Sequence, residues 1–155
     1  MSVNKVVILT TILFGLSYLD VSATDLEPDY KLEPENRNSV LIGKKIYTSQ
    51  CAACHGVQLE GQPNWRQRKP NGKLPAPPHN ASGHTWHHPT AMLFAMTKYG
   101  PGALIQNPAY KTDMPAYNNV LSDEEILAVL SYIKSQWPIE VRERHDRIDE
   151  RYNQN

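Results

Sequence analysis

Cys51-Ala52-Ala53-Cys54-His55 places two thiols and an imidazole at the spacing that attaches a c-type haem. Each sulfur is able to add to one vinyl group of the porphyrin, and the two intervening residues let the backbone turn so that both sulfurs face neighbouring edges of one ring. His55 then projects over the ring face, where a neutral ring nitrogen is available to iron as proximal ligand. Two other readings stand beside this one. A thioredoxin-type dithiol needs a βαβ surround and a lowered thiol pKa at a helix start, and no run of β-branched strand residues precedes Cys51. Half of a zinc site needs a second pair, and the chain has no cysteine beyond Cys51 and Cys54.

The chain around the motif has 155 residues and a formal net charge of +0, which suits one small domain. That balance implies neither a nucleic-acid partner nor steering by net charge. A covalent haem would enlarge the core of so short a chain, because the helices then pack against a large apolar ring. Residues 1–23 read as an export signal: Lys5 gives a positive start, Val6 to Leu19 is almost uninterrupted and apolar, and Val21-Ser22-Ala23 supplies small residues for cleavage before Thr24. The apolar run is short for a membrane span, which needs ~20 residues, so cleavage is favoured over an uncleaved anchor. Residues 24–37, polar and punctuated by proline, read as a linker.

The domain is expected over 38–138. Asn38 and Ser39 are good helix caps, and Val40 to Gln50 keeps helical spacing into the haem motif. On that helix Gly43 and Tyr47 lie one turn apart, and Gly43 reads as a notch for a crossing helix, since a mid-helix glycine otherwise costs ~1 kcal/mol. The partner is the segment after Ser122, where Asp123, Glu124 and Glu125 form a capping box and acidic first turn, followed by the stripe Ile126, Val129, Leu130, Ile133 to Trp137 and the stop at Pro138. Between them, His88 to Tyr99 reads as a helix opened by Pro89 and closed by Gly100. Met114-Pro115-Ala116-Tyr117 stands on a polar, proline-stiffened loop, where a thioether is a candidate for the second axial position of iron. Met92 and Met96 are rivals whose i, i+4 spacing suits packing against the ring edge.

With these residues in order, the chain resembles a monohaem class I cytochrome c. Gly43 with Tyr47, Cys51 to His55, Met114-Pro115, and Val129, Tyr132 and Ile133 on the last helix carry the resemblance, which covers roughly residues 38 to 137. It implies an all-α fold wrapping one covalent haem c, electron transfer rather than catalysis, thioethers at Cys51 and Cys54, and His55 and Met114 as the iron ligands. It also implies that a proline-flanked carbonyl in Leu74 to Pro78, expected at Pro77, accepts the Nδ1 proton of His55.

The chain departs from the shortest members of that family in a long, proline-rich, basic loop from Gln62 to His88. Trp65, Arg66 and Trp86 within it are candidate donors to the haem propionates, with a solvated loop holding aromatic anchors as the plainer alternative. His79, His84, His87 and His88 form a cluster for which a copper or zinc site, a haem-edge role and rival axial ligation all stay open. Residues 139–155 are dense in charge, with i, i+4 pairs Glu140 to Arg144 and Glu143 to Arg147 and a thin apolar stripe of Val141, Ile148 and Tyr152, and read as a surface helix loosely packed on the domain, with a docking helix for a partner as the alternative. Function follows from a filled coordination sphere: a periplasmic shuttle of single electrons between a donor and an acceptor protein. The alternatives are a subunit docked to a dehydrogenase or terminal oxidase in a membrane redox complex, and a haem sensor with a displaceable methionine.

Overall fold

Asn36 starts the first helix: its side-chain oxygen accepts the N–H groups of Asn38 at 3.0 Å and Ser39 at 3.3 Å. The cap therefore lies two residues before the position read from sequence, because Asn38 and Ser39 act as donors to it and not as caps themselves. The computed structural model describes residues 30–154 apart from 106, so the export signal and most of the linker lie outside the described residues. Helix α1 (Arg37–Ile46) widens into a π-helical turn (Tyr47–Cys51) and continues as α2 (Ala52–His55). The haem motif thus straddles the seam between a wide turn and an α-turn, a local irregularity that commonly marks functional sites.

After the long loop come a 3₁₀ turn (Thr85–His87), α3 (Thr90–Tyr99), α4 (Pro101–Leu104), α5 (Asp123–Ser135) and α6 (Ile139–Asn153). Among the described residues there is no strand, and the fold is all-α. The capping box is formed at the start of α5: Ser122 Oγ accepts from Glu125 N at 3.2 Å, and the Glu125 carboxylate accepts from Ser122 N at 2.9 Å. Ile126, Val129, Leu130 and Ile133 of α5 are buried together with Ile46, Tyr47, Leu93 and Phe94 in one apolar core.

Helices α1 and α5 cross where Gly43 meets the α5 backbone. A Cβ added at Gly43 would lie 2.0 Å from the Ala128 carbonyl oxygen and 2.9 Å from Tyr132 Cβ. Backbone cannot retreat as a side chain does, so only glycine fits. Gly43→Ala is expected to lower stability by about 1–3 kcal/mol in urea denaturation, although alanine is the better helix former.

The tail differs from the loosely packed surface helix read from its charge. Helix α6 packs against the Thr85–His87 turn, and its His145 is fully enclosed at 0% exposure. His145 Nδ1 lies 3.0 Å from the ammonium of Lys134 on α5, which also pairs with Asp146. One turn on, Asp149 accepts from Thr90 N at 2.6 Å and Thr90 Oγ1 at 2.7 Å, so α6 caps α3 from outside. Pattern reading missed this because the buried residues of the network are a histidine and a lysine, which an apolar stripe does not announce. His145, Asp146 and Asp149 bring ligand-type atoms within 4.8 Å of one another, but the Lys134 ammonium already supplies the cation there.

Burial, above all, holds the His145 pKa below its ordinary value, with Lys134 adding to that effect and Asp149 and Asp146 opposing it. A histidine with a lower pKa folded than unfolded takes up a proton on unfolding. Its contribution is therefore present above pH ~6.5 and lost as the pH falls below it. The urea midpoint is expected to drop between about pH 7.5 and about pH 5, and His145→Gln to remove part of that dependence.

Candidate functional site

The motif residues are presented by the end of the π turn and by α2. Cys51 is half-buried, Cys54 is exposed, and both carry free thiols. Burial, then the neighbouring Cys54, pushes the Cys51 thiol up to about 11. A redox dithiol needs the opposite shift, and the surround is helical without strands among the described residues. The thioredoxin-type reading therefore has neither its electrostatics nor its scaffold.

His55 is 7% exposed, and its Nδ1 lies 2.8 Å from the carbonyl oxygen of Pro77. Burial lowers the His55 pKa against the opposing pull of that carbonyl, which keeps the ring neutral. A neutral imidazole donating from Nδ1 has its Nε2 lone pair free for a metal. The Pro77 carbonyl is placed by backbone contacts that leave no room for side chains. A Cβ at Gly61 would meet Pro78 N at 2.4 Å and Pro77 C at 2.7 Å, and one at Gly83 would meet the Pro78 carbonyl oxygen at 2.0 Å. Gly61 N also donates to the His55 carbonyl at 2.8 Å, closing the loop onto the motif.

Met114 is half-buried on its loop, with its N–H held by Thr112 Oγ1 at 3.0 Å. Two tethers bring that loop to the motif. Tyr117 is buried, its hydroxyl donates to the Gln50 carbonyl at 2.8 Å, and its N–H reaches the Thr97 and Lys98 carbonyls of α3. Burial first, and then Cys51 and Cys54, raise the Tyr117 pKa, so its phenol lies within electrostatic reach of both thiols. Asp113 pairs with Lys73 of the long loop. Of the rival sulfurs on α3, Met92 is exposed and Met96 half-buried.

The long loop sorts its aromatic residues into separate stacks. Trp65 is parallel to His84, with ring centroids 5.2 Å apart, and carries the Arg66 guanidinium 4.2 Å from its own centroid. Trp86 stacks on His87 at 3.7 Å, and its indole N–H donates to the Ala81 carbonyl at 3.3 Å. That donor, nominated from sequence for a propionate, is already engaged, whereas among the described residues Trp65 and Arg66 have no such hydrogen bond. His79 is stacked face to face with His55. Among the described residues, no three of the loop histidines bring ligand atoms together. Gly61, Gly83, Tyr117 and Trp137 were not singled out for the site from sequence; only the helix-stop position of Trp137 gave any signal.

Free thiols on the motif, a neutral His55 whose Nδ1 is committed to Pro77 and a thioether loop tethered beside the motif fit a covalent haem. A family model described as Cytochrome c matches residues 40–137, and the chain belongs to the cytochrome c family. Searches of curated proteins and of solved structures returned no match. The family's chemistry is electron transfer through a covalently bound haem c, and its members are in general carriers rather than enzymes.

Proposed function

We propose that this chain carries one haem c, attached at Cys51 and Cys54 and ligated by His55 and Met114, and shuttles single electrons between redox proteins in the periplasm. The haem, when bound, supplies the one-electron couple. The chain's residues do the rest. His55 is kept neutral by burial and oriented by Pro77, and the Met114 loop is fastened by Tyr117 to the carbonyl that directly precedes the motif. That second fastening carries the proposal, because it brings a thioether loop and the proximal histidine to one neighbourhood from opposite ends of the domain. With both His55 and Met114 holding the group, oxygen or peroxide would have to displace one of them to bind, and thioether sulfur would favour the reduced state. Trp65 and Arg66 are the donors best placed by chemistry for the propionates.

The export signal read in residues 1–23 supports the periplasm, and among the described residues no helix is long and apolar enough to cross a membrane. From Gly61 to Thr112 the sequence has no aspartate or glutamate, while Arg66, Arg68, Lys69, Lys73, Lys98 and Lys111 fall within it. A partner presenting carboxylates suits that stretch, despite the zero net charge of the whole chain.

Expression with haem maturation is expected to yield a red protein whose colour survives acid-acetone extraction. The double variant Cys51→Ala, Cys54→Ala should lose it, since thioethers are the link that extraction cannot break. Complete extraction from the wild type overturns the haem c assignment. For the sixth ligand, Met114→Ala should abolish the weak far-red absorption of the oxidised protein and lower the midpoint potential. Met92→Leu and Met96→Leu should retain both.

A further inference from the structure

His79 is the nearest neighbour in kind to the proposed iron ligand. Its ring lies face to face with that of His55, with centroids 3.8 Å apart and planes 19° apart. The backbone of His79 is fixed from two directions. Its N–H donates to the Leu59 carbonyl at 2.9 Å, and its carbonyl accepts from Trp137 Nε1 at 2.7 Å. Leu59 adopts a left-handed backbone, φ 62°, while its side chain is buried. Such a conformation in a branched residue is strained and persists where the surroundings demand it. Here the demand is visible, since the Leu59 carbonyl accepts from both His79 and Asn80. Tyr47 meets the His79 ring edge-on at 6.0 Å, and Tyr47 is in turn held by its hydroxyl on the Gly56 carbonyl at 2.9 Å.

We infer that His79 is a positioning residue for the iron-binding imidazole, holding the plane of the His55 ring by stacking on its face. The hydrogen bond to Pro77 fixes one edge of the His55 ring and leaves its tilt about that edge unrestrained. A flat ring packed on the face removes that freedom. A branched aliphatic side chain fills the volume but presents no plane. The His79 Nδ1 is buried without a hydrogen-bond partner, so the side chain makes no polar contact there that would explain a histidine. What the position uses is the flat face. The orientation of an axial imidazole plane sets how iron orbitals share electron density with it, so His79 acts on the electronic state of the site without touching the metal.

This inference rests on His55 being an iron ligand, and the experiment separates the two. In the haem-loaded full chain, His79→Leu should change the pattern of haem-methyl NMR shifts in the oxidised protein and displace the midpoint potential. His79→Phe, which keeps a flat ring without nitrogens, should return both towards wild type, while His79→Gln should behave as the leucine variant. Wild-type spectra from His79→Leu, or a phenylalanine variant as disturbed as the leucine one, overturn the stacking role. Recovery by glutamine alone would do the same, by showing that a polar atom matters and not a plane. The reduced wild type gives a further check that needs no variant to fold: imidazole protons of residues 55 and 79 should show mutual nuclear Overhauser contacts, and their absence refutes the inference. A wild type lacking covalent haem would instead end the parent proposal.

Discussion

The 2.8 Å hydrogen bond between His55 Nδ1 and the Pro77 carbonyl joins the haem motif to a loop that has little regular structure of its own. An imidazole ligates metal through one nitrogen only if its proton is kept on the other, so the carbonyl must be held still. In a helix the backbone would supply that rigidity. Here prolines and close approaches supply it: Pro75, Pro77 and Pro78 restrict the chain, and Gly61 and Gly83 let other backbone segments press against it. The long loop is thus stiff where it meets His55, and the bulk of its sequence lies in the flanks that carry the tryptophan and histidine stacks.

A second constraint acts on the opposite side of the domain. Lys134 and His145 are both buried, with Asp146 and Asp149 beside them. Burying an ammonium is costly unless its partners are close and well directed, so this network gives α6 a definite seat without being a large source of net stability. Its more useful consequence is local. By accepting from Thr90, Asp149 satisfies donors at the start of α3 that Pro89, lacking a side-chain oxygen, leaves open.

What could be read from the sequence follows the physics of each feature. The motif, the Gly43 notch and the Ser122 capping box depend on residue types at fixed short spacings, and such spacings are written directly in the chain. The helix start slipped by two residues because Asn36, Asn38 and Ser39 are all competent caps and only the backbone direction chooses among them. Engagement of the Trp86 indole with Ala81, and the face of His79 on His55, depend on how an irregular loop returns on itself. No period or spacing encodes that. The seat of α6 was hidden for a different reason: its buried histidine meets a lysine and a tryptophan, and a charged helix looks solvated until its partners are known.

Trp137 links these separate constraints. It is the last residue of the family match, and its indole N–H donates to the His79 carbonyl while its ring lies 5.3 Å from that of His145. The contacts therefore run from His55 to His79 by ring stacking, to Trp137 by a hydrogen bond, and to α6 by a second aromatic contact. A helix outside the span of the family match is thereby packed into the support of His55. Each step is a direct contact between named groups, so α6 and the residues around His55 are packed as one body. The charged extension belongs mechanically to the haem domain, although nothing in its own composition ties it there.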